Sequence, residues 1–550
     1  MITVNGNWEQ IFEGQAASRI EELLPPFLTS SRWFGGKARR IHSAKMREVV
    51  PIDADSIGFM LLLVDIRYVA GGADTYAIPI TAAFGPASER IKRECPQAVI
   101  GELQMVGPDG QNTGVLYDAL WSEDQAYVIL LGIGSAARFR GMQGTVAGSP
   151  TEAFEAALIQ PPLARAEIMK GEQSNTSIRF GDKAIVKVYR RLEKGVNPDL
   201  EIGRVLTTRD FAHAPAVLGA LEYVQEQQEP MTLAIAQQFV PNTGDGWRYT
   251  IHELEQYFAR IVAMRGESPS QPGHPAAHND LLGHYGGAAA RLGQRTAELH
   301  STLAQSTDDQ AFAPEACSLE YLQVRSEAMI GLVERTLTLL RENVARLPDV
   351  DRSAAQQVLE MESAIGSRMR RLLTVEPTTL RIRCHGDYHL GQVLHTDGDF
   401  VIIDFEGEPA RPLAERRAKH LPILDLAGMI RSFHYAAFVA LRERIAQDGV
   451  QQGNDLEPWA RIWYRSARGA FIQSYMQHTS VASFQPRSRG EFTLLLNVHL
   501  LEKAVYELGY ELNNRPAWVA IPLHGILEEM RNDDCKMQDG SLTVGDVMIG

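Results

Sequence analysis

His385-Gly386-Asp387-Tyr388-His389-Leu390-Gly391-Gln392 is followed by Thr396-Asp397-Gly398-Asp399 and then by Val401-Ile402-Ile403-Asp404-Phe405-Glu406. Two short apolar runs joined by a Gly-containing turn predict a hairpin, which would bring Asp387, Gln392 and Asp404 close together. A carboxylate facing an acceptor hydroxyl, beside an oxygen-rich pair able to hold a divalent ion, is what phosphoryl transfer needs. HGD alone is a weak signal. The five-residue step to Gln392 and the twelve-residue step to an apolar-Asp-Phe run make it a strong one.

Such a plan also needs an upstream strand lysine and a helical carboxylate. Ala184-Ile185-Val186-Lys187-Val188-Tyr189 supplies the strand, with Lys187 on the face opposite Val186 and Val188. Glu201 follows in a segment whose Pro198 marks a helix start, and is the expected partner of Lys187. The turn Glu172-Gln173-Ser174-Asn175-Thr176 stands where a phosphate-covering loop belongs, with Ser174 as a contact. The linker Ala236–Val240 would present the Gln238 carbonyl and the Val240 amide to adenine.

Outward from these motifs, the chain changes character twice. VVPI, IGFMLLLVDIRY and TYAIPITAAF read as strands, preceded by a short helix that Pro25-Pro26 is expected to stop. A second β-rich stretch holds AYVILLGIG, read as a strand, the Lys187 strand and MTLAIAQQFV, with one helix near PDLEIGRVLTT. From about Trp247, apolar residues recur three and four apart, which predicts helices up to about Met530 and a loose tail beyond. The expected fold is therefore α+β. Residues 1–105 form a β-rich cap, 106–245 a small β lobe for nucleotide, and 246–550 a large helical lobe with the catalytic and acceptor site.

Composition closes off other classes. The 550 residues carry a formal charge of −14, which argues against a nucleic-acid surface. Cys95, Cys317, Cys384 and Cys535 form no CxxC pair, so neither structural zinc nor a redox motif is indicated. The most apolar run, Ile57–Val64, is too short to span a bilayer, and the start has no secretory pattern. A cytoplasmic location with no membrane or nucleic-acid partner is the expectation. Gly132-Ile133-Gly134 lacks the helix that a dinucleotide site needs after its glycines. Gly35-Gly36-Lys37 lacks the hydroxyl residue of a phosphate-binding loop, because Ala38 follows. His274 and His278 lack the glutamate of a zinc helix, and residues 266–280 read as a surface loop.

HGDYHLGQVL with IIDFEGEP resembles the aminoglycoside phosphotransferase-like kinases, with Gln392 in place of the usual Asn. LPPFLTSSRWFGGKAR, VKVYRRLEKGVNPDLE, LGQRTAELH, EPARPLAERRAKHLPILDLAGMIRSFHYAA and EKAVYELGYELNNRPAWVAIPL narrow the resemblance to bacterial maltokinases, over nearly the whole chain. The resemblance implies a bilobal protein-kinase-like fold, ATP and Mg²⁺ between the lobes, and transfer of phosphate to maltose to give maltose 1-phosphate, within trehalose and glycogen metabolism. It implies Asp387 as the base or orienting carboxylate, and Gln392 and Asp404 as metal ligands. It also brings in a trehalose synthase as a candidate partner, since in some relatives that enzyme precedes the kinase. The runner-up acceptors are glucosamine or an aminoglycoside. A catalytically dead docking module is the rival from another class.

On the acceptor side, Lys503, Glu507 and Glu511 recur every four residues, with Tyr506 beside them and Arg515 just beyond. These either grip sugar hydroxyls or form a solvated face of ion pairs; the resemblance favours the first. His389, Glu408 and Arg411 complete the acceptor candidates, and Tyr435 is either a sugar platform or a core aromatic. Trp33 and Phe34 are read as an anchor between cap and small lobe.

Overall fold

The structure, a computed structural model, describes residues 1–5, 8–54, 57–107, 110–157, 165–169, 174–263, 283–448 and 450–539. Glu172 and Gln173 of the predicted phosphate turn, the 266–280 loop and the tail from 540 lie outside the described residues. The chain divides into one unit of residues 1–210 and 215–241, and a second of 211–214 and 242–550.

The first unit holds two sheets. Strands β1 (Ile2–Asn5), β2 (Ile41–Ala54), β3 (Ile57–Tyr68), β4 (Ala73–Phe84), β5 (Val99–Gly107) and β6 (Gly110–Asp118) pair in the order β1-β5-β6-β4-β3-β2. This cap sheet thus continues past residue 105 to Asp118. The other sheet contains β7 (Arg138–Arg140), β8 (Thr145–Pro150), β9 (Ala166–Ile168), β10 (Asn175–Phe180), β11 (Ala184–Tyr189), β13 (Val217–Val224) and β14 (Met231–Gln238), ordered β7-β8-β13-β14-β11-β10-β9. The two-residue β12 (Arg191–Leu192), just after the Lys187 strand, crosses back to pair with β4 of the cap.

The two sheets share one core. Phe59, Leu61 and Leu63 of the cap are buried in the same cluster as Val146, Ile178, Val186 and Leu221. The opposite face of the cap sheet packs Phe34 with Leu62, Val64, Ile78 and the Gly14–Ser30 helix. Phe34 is therefore a cap-core residue, not the expected anchor to the small lobe. Trp33 does touch that lobe: the Arg190 guanidinium lies 4.6 Å over its ring. Arg190 also donates to Asp118 at 2.7 Å and to Thr176 at 2.9 Å, with Arg190 and Asp118 each 1% exposed. A second buried tie is Glu48 on β2. Its carboxylate accepts the amides of Met142, Gln143 and Gly144 and the Tyr223 hydroxyl at 2.7–3.0 Å.

Two local expectations fail. Residues 123–134 form a helix, not a strand; Ala126, Val128, Ile129, Leu130 and Ile133 are all buried in it. A run that is apolar on every face carries no period to separate helix from strand. Nor do Pro25 and Pro26 stop the first helix, which spans Gly14–Ser30. Ile20, Leu24, Phe27 and Leu28 keep a continuous buried face across the prolines, and that packing outweighs the lost amide donors.

The second unit is helical around one small sheet: β15 (Gly244–Asp245), β18 (Val393–His395) and β19 (Phe400–Ile402). Outside it, β16 (Glu315–Ala316) pairs with β17 (Leu380–Arg381). The predicted hairpin is β18–β19, with Leu394 opposite Val401. Arg295 fixes its turn by a bidentate pair with Asp399. The Ile423–Gln447 stretch is long and apolar enough to cross a membrane, yet 83% of its most apolar window is buried inside this protein. It serves as a core helix.

Candidate active site

Three residues on one face of the Ile423–Asp448 helix cradle the loop 385–390. Asp425 accepts the amides of His385 at 2.8 Å and Gly386 at 3.0 Å. Ser432 accepts the Leu390 amide at 3.1 Å. Between them, Gly428 lets the helix backbone meet the loop backbone, because a Cβ there would sit 2.5 Å from the Tyr388 carbonyl oxygen. The steps from 425 to 428 and 432 are those of one helical face. His300 closes the set from behind, with Nε2 3.0 Å from Asp425 and Nδ1 2.9 Å from the Tyr475 hydroxyl. Burial by itself would raise the Asp425 pKa. The hydrogen bonds and histidines around it outweigh burial and hold the carboxyl below its ordinary range.

Beyond the loop, the Gln392 amide donates to Asp404 at 3.0 Å, so the hairpin brings this pair together as the spacing predicts. Asp404 has φ +65°, a left-handed backbone that a non-glycine residue adopts only when its surroundings impose it. Phe405 after it is buried against the His385 ring at 5.1 Å, and His385 Nε2 bonds the Ile403 carbonyl at 2.9 Å. The Gln392 carbonyl oxygen and the Asp404 carboxylate are hard oxygen donors. Few in number, they suit a magnesium ion that takes its other ligands from phosphates and water.

Asp387 lines a recess together with Glu408, Arg411, Lys503 and Tyr506. Lys503 Nζ stands 3.6 Å from Asp387 and 3.8 Å from Glu408, and the Tyr506 hydroxyl donates to Glu408 at 2.9 Å. His389 Nδ1 accepts the Gly391 amide at 3.0 Å. That leaves the ring proton on Nε2, which faces Asp387 at 4.0 Å. The Arg489–Asn514 helix, capped by the Ser488 side chain, delivers Lys503 and Tyr506.

The other acceptor candidates lie outside that lining. Glu507 pairs with the buried Arg431 at 2.7 and 2.9 Å. Glu511 accepts from Tyr435 at 3.1 Å and from Arg515 at 2.6 and 2.9 Å. Each further helical turn carries a residue about 5.4 Å along the axis, and these turns have run past the recess.

In the first unit, Lys187 on β11 is 8% exposed and sits opposite Ser177 and Ile235. Its ammonium lies 3.4 Å from Asp199, a carboxylate 1% exposed that also accepts from Tyr189 at 3.0 Å. Asp199 was not among the predicted residues; it stands two before Glu201 on a helix that Asn197 caps and Pro198 opens. The cap bond itself, from the Asp199 amide to Asn197, fixes that first turn. Ser174 is exposed just ahead of β10. In the linker, the Gln238 amide donates to Ala216 and the Phe239 amide to Lys183, which anchors the strand end that leads to Val240.

The comparisons with known proteins bear on the fold and the family. A model described as the phosphotransferase enzyme family matches residues 166–462, more than half the chain. The chain belongs to that family. A second model, the maltokinase N-terminal cap domain, matches residues 27–121. Among curated proteins, a glucosamine kinase of Streptacidiphilus jiangxiensis is 26% identical over 64% of this chain and 70% of its own. A glucosamine kinase of Mycolicibacterium smegmatis is 27% identical over 65% and 78%. A solved glucosamine kinase in complex with glucosamine, ADP and inorganic phosphate superposes with TM-score 0.61 at 17% identity, covering 96% of this chain and 99% of the other. Another crystal form gives 0.63 at 18% identity, covering 96% and 100%. The fold is kinase-like, mixed α+β, with a β-rich N-terminal region and a helical C-terminal part. The protein is a phosphotransferase.

Proposed function

We propose that this protein transfers the γ-phosphoryl group of ATP to the anomeric hydroxyl of maltose, forming maltose 1-phosphate and ADP. The observation that carries the reading is the recess at Asp387, in which one acceptor-facing carboxylate stands among paired charges and a tyrosine. The match of the maltokinase cap to residues 27–121 supports maltose over other acceptors.

Asp387 orients the sugar hydroxyl and takes its proton as the oxygen–phosphorus bond forms and the bond to the ADP oxygen breaks. Asp425 and Ser432 hold the loop that carries Asp387. Glu408, Arg411, Lys503 and Tyr506 supply donors and acceptors for the other hydroxyls, and His389 orients Asp387. Lys187, with Asp199 beside it and Glu201 on the same helix, is assigned to the phosphates. Ser174 is assigned to the phosphate turn, and Gln238 and Val240 to adenine. Gln392 and Asp404 would hold magnesium, whose chemistry when bound is to neutralise phosphate charge. The cap, whose sheet runs on to Asp118, is followed by a nucleotide-binding part up to about residue 245 and by the catalytic and acceptor part over 246–550. A cytoplasmic role in trehalose and glycogen metabolism, with a trehalose synthase as partner, completes the reading.

The second reading is a glucosamine kinase, favoured by the names of the curated relatives. ADP release measured over a panel of neutral and amino sugars separates the two. Turnover with glucosamine and none with maltose selects the second.

A further inference from the structure

The recess at Asp387 carries its own ammonium. Lys503 Nζ lies 3.6 Å from Asp387 Oδ1 and 3.8 Å from Glu408 Oε2, while Tyr506 occupies the other Glu408 oxygen. Arg411 adds a second cation to the lining. Of the remaining acids on the wall, Glu502 is held by Arg325 at 2.7 Å, and Asp425 by His300 and two backbone amides. Asp387 and Glu408 are thus both already faced by the Lys503 ammonium.

We propose that Lys503 sets the charge class of the acceptor: its ammonium occupies the place where a protonated amino sugar would put its own, so the recess takes neutral polyhydroxyl sugars and rejects cationic ones. This rests on the reading of the recess as the acceptor site of a sugar kinase. Two like unit charges held a few ångströms apart in a partly shielded recess repel each other. An incoming ammonium would also lose its hydration without gaining an unmatched carboxylate. A hydroxyl meets no such penalty, since it accepts from Lys503 and donates to Glu408 at once. Burial opposes the Lys503 charge, but Asp387, Glu408 and Glu507 outweigh it and lift its pKa above the ordinary lysine value. The cation therefore persists across the neutral range. Selectivity by a built-in repulsive charge is a common device where two ligands share a shape.

The test compares initial rates on maltose and glucosamine for the wild type, Lys503→Met and Lys503→Arg, with melting followed by circular dichroism. In the wild type, maltose should be the better substrate. Lys503→Met should raise the glucosamine-to-maltose ratio of kcat/KM about tenfold or more, and Lys503→Arg should leave it within about threefold. A second measurement needs only the wild type. A sugar amine titrates near the α-amino range, about 8, so inhibition of maltose phosphorylation by glucosamine should strengthen from about pH 6.5 to about pH 9. A folded Lys503→Met with an unchanged ratio, or glucosamine inhibition that weakens as pH rises, overturns the inference. Equal use of both sugars by the wild type overturns the inference but leaves a sugar kinase standing. Turnover of no sugar overturns the reading of the recess and the inference with it.

Discussion

The His300 imidazole meets the Asp425 carboxylate at 3.0 Å, with both side chains shut away from solvent. Asp425 in turn holds the two amides that precede Asp387. The position of the Asp387 carboxylate therefore depends on a residue 38 places further along the chain. Asp425→Ala takes the partner away from His300 Nε2 and from both amides, and should cost about 3–5 kcal/mol of stability. Asp425→Asn keeps the shape but offers one acceptor oxygen, so kcat should fall while acceptor KM changes little. The folded pKa of Asp425 is depressed, so its contribution is complete above the ordinary carboxylate value of about 3.9 and is lost as pH falls through the folded value. Acid-unfolding curves of Asp425→Asn should accordingly be flatter below about pH 4.

Asp387→Asn removes the charge and keeps the volume. Turnover should drop by about 10²–10⁴-fold, the usual contribution of a general base, with nucleotide affinity little changed. Steady-state rates beside nucleotide titrations by calorimetry check this. A parallel loss of nucleotide affinity would move Asp387 to a structural role.

Lys187→Ala should cut kcat/KM for ATP by about 10²-fold or more, as loss of a positioned donor to transferring phosphate does. Asp199→Asn should reproduce part of that loss, because the Asp199 carboxylate lies 3.4 Å from the Lys187 ammonium. Intact turnover in Lys187→Ala would remove this strand from nucleotide binding.

The cap should not be separable from the sheet it shares a core with. Removing residues 1–121 would strip Phe59, Leu61 and Leu63 from the buried cluster they share with Val146, Ile178, Val186 and Leu221, and aggregation should follow. Trp33→Ala should lower kcat and melting temperature together and leave the choice of sugar unchanged. It strips the ring from Arg190, which binds Thr176 at the end of the predicted phosphate turn. A soluble, fully active protein without its cap would make the cap an independent module.

Local chemistry was legible in the sequence wherever residues close in the chain are close in space. The hairpin, the Gln392–Asp404 pair and the Lys187 strand all follow from spacings of a few residues and a turn. Long-range partners left no such trace. Asp425, Gly428 and Ser432 read as an ordinary apolar helix, and only the folded chain shows which loop that face meets. Asp199 went unnoticed beside Glu201 because nothing in the spacing singles out one acid of that first turn. The regular spacing of Lys503, Glu507 and Glu511 was visible, but not that Arg431 and Arg515 take the last two. Glu48, at a single position in a long strand, gave no hint that it binds a turn 94 residues away.

The most direct measurement is phosphorus NMR of the product formed from ATP, magnesium and maltose by the wild-type protein, with Asp387→Asn run in parallel. The expected result is one new sugar-phosphate signal, split by the anomeric proton of maltose and growing in step with ADP, and absent with Asp387→Asn. Phosphate found only on an amino sugar offered in the same mixture, or no ADP formed with any sugar, would contradict a maltose-phosphorylating site at Asp387.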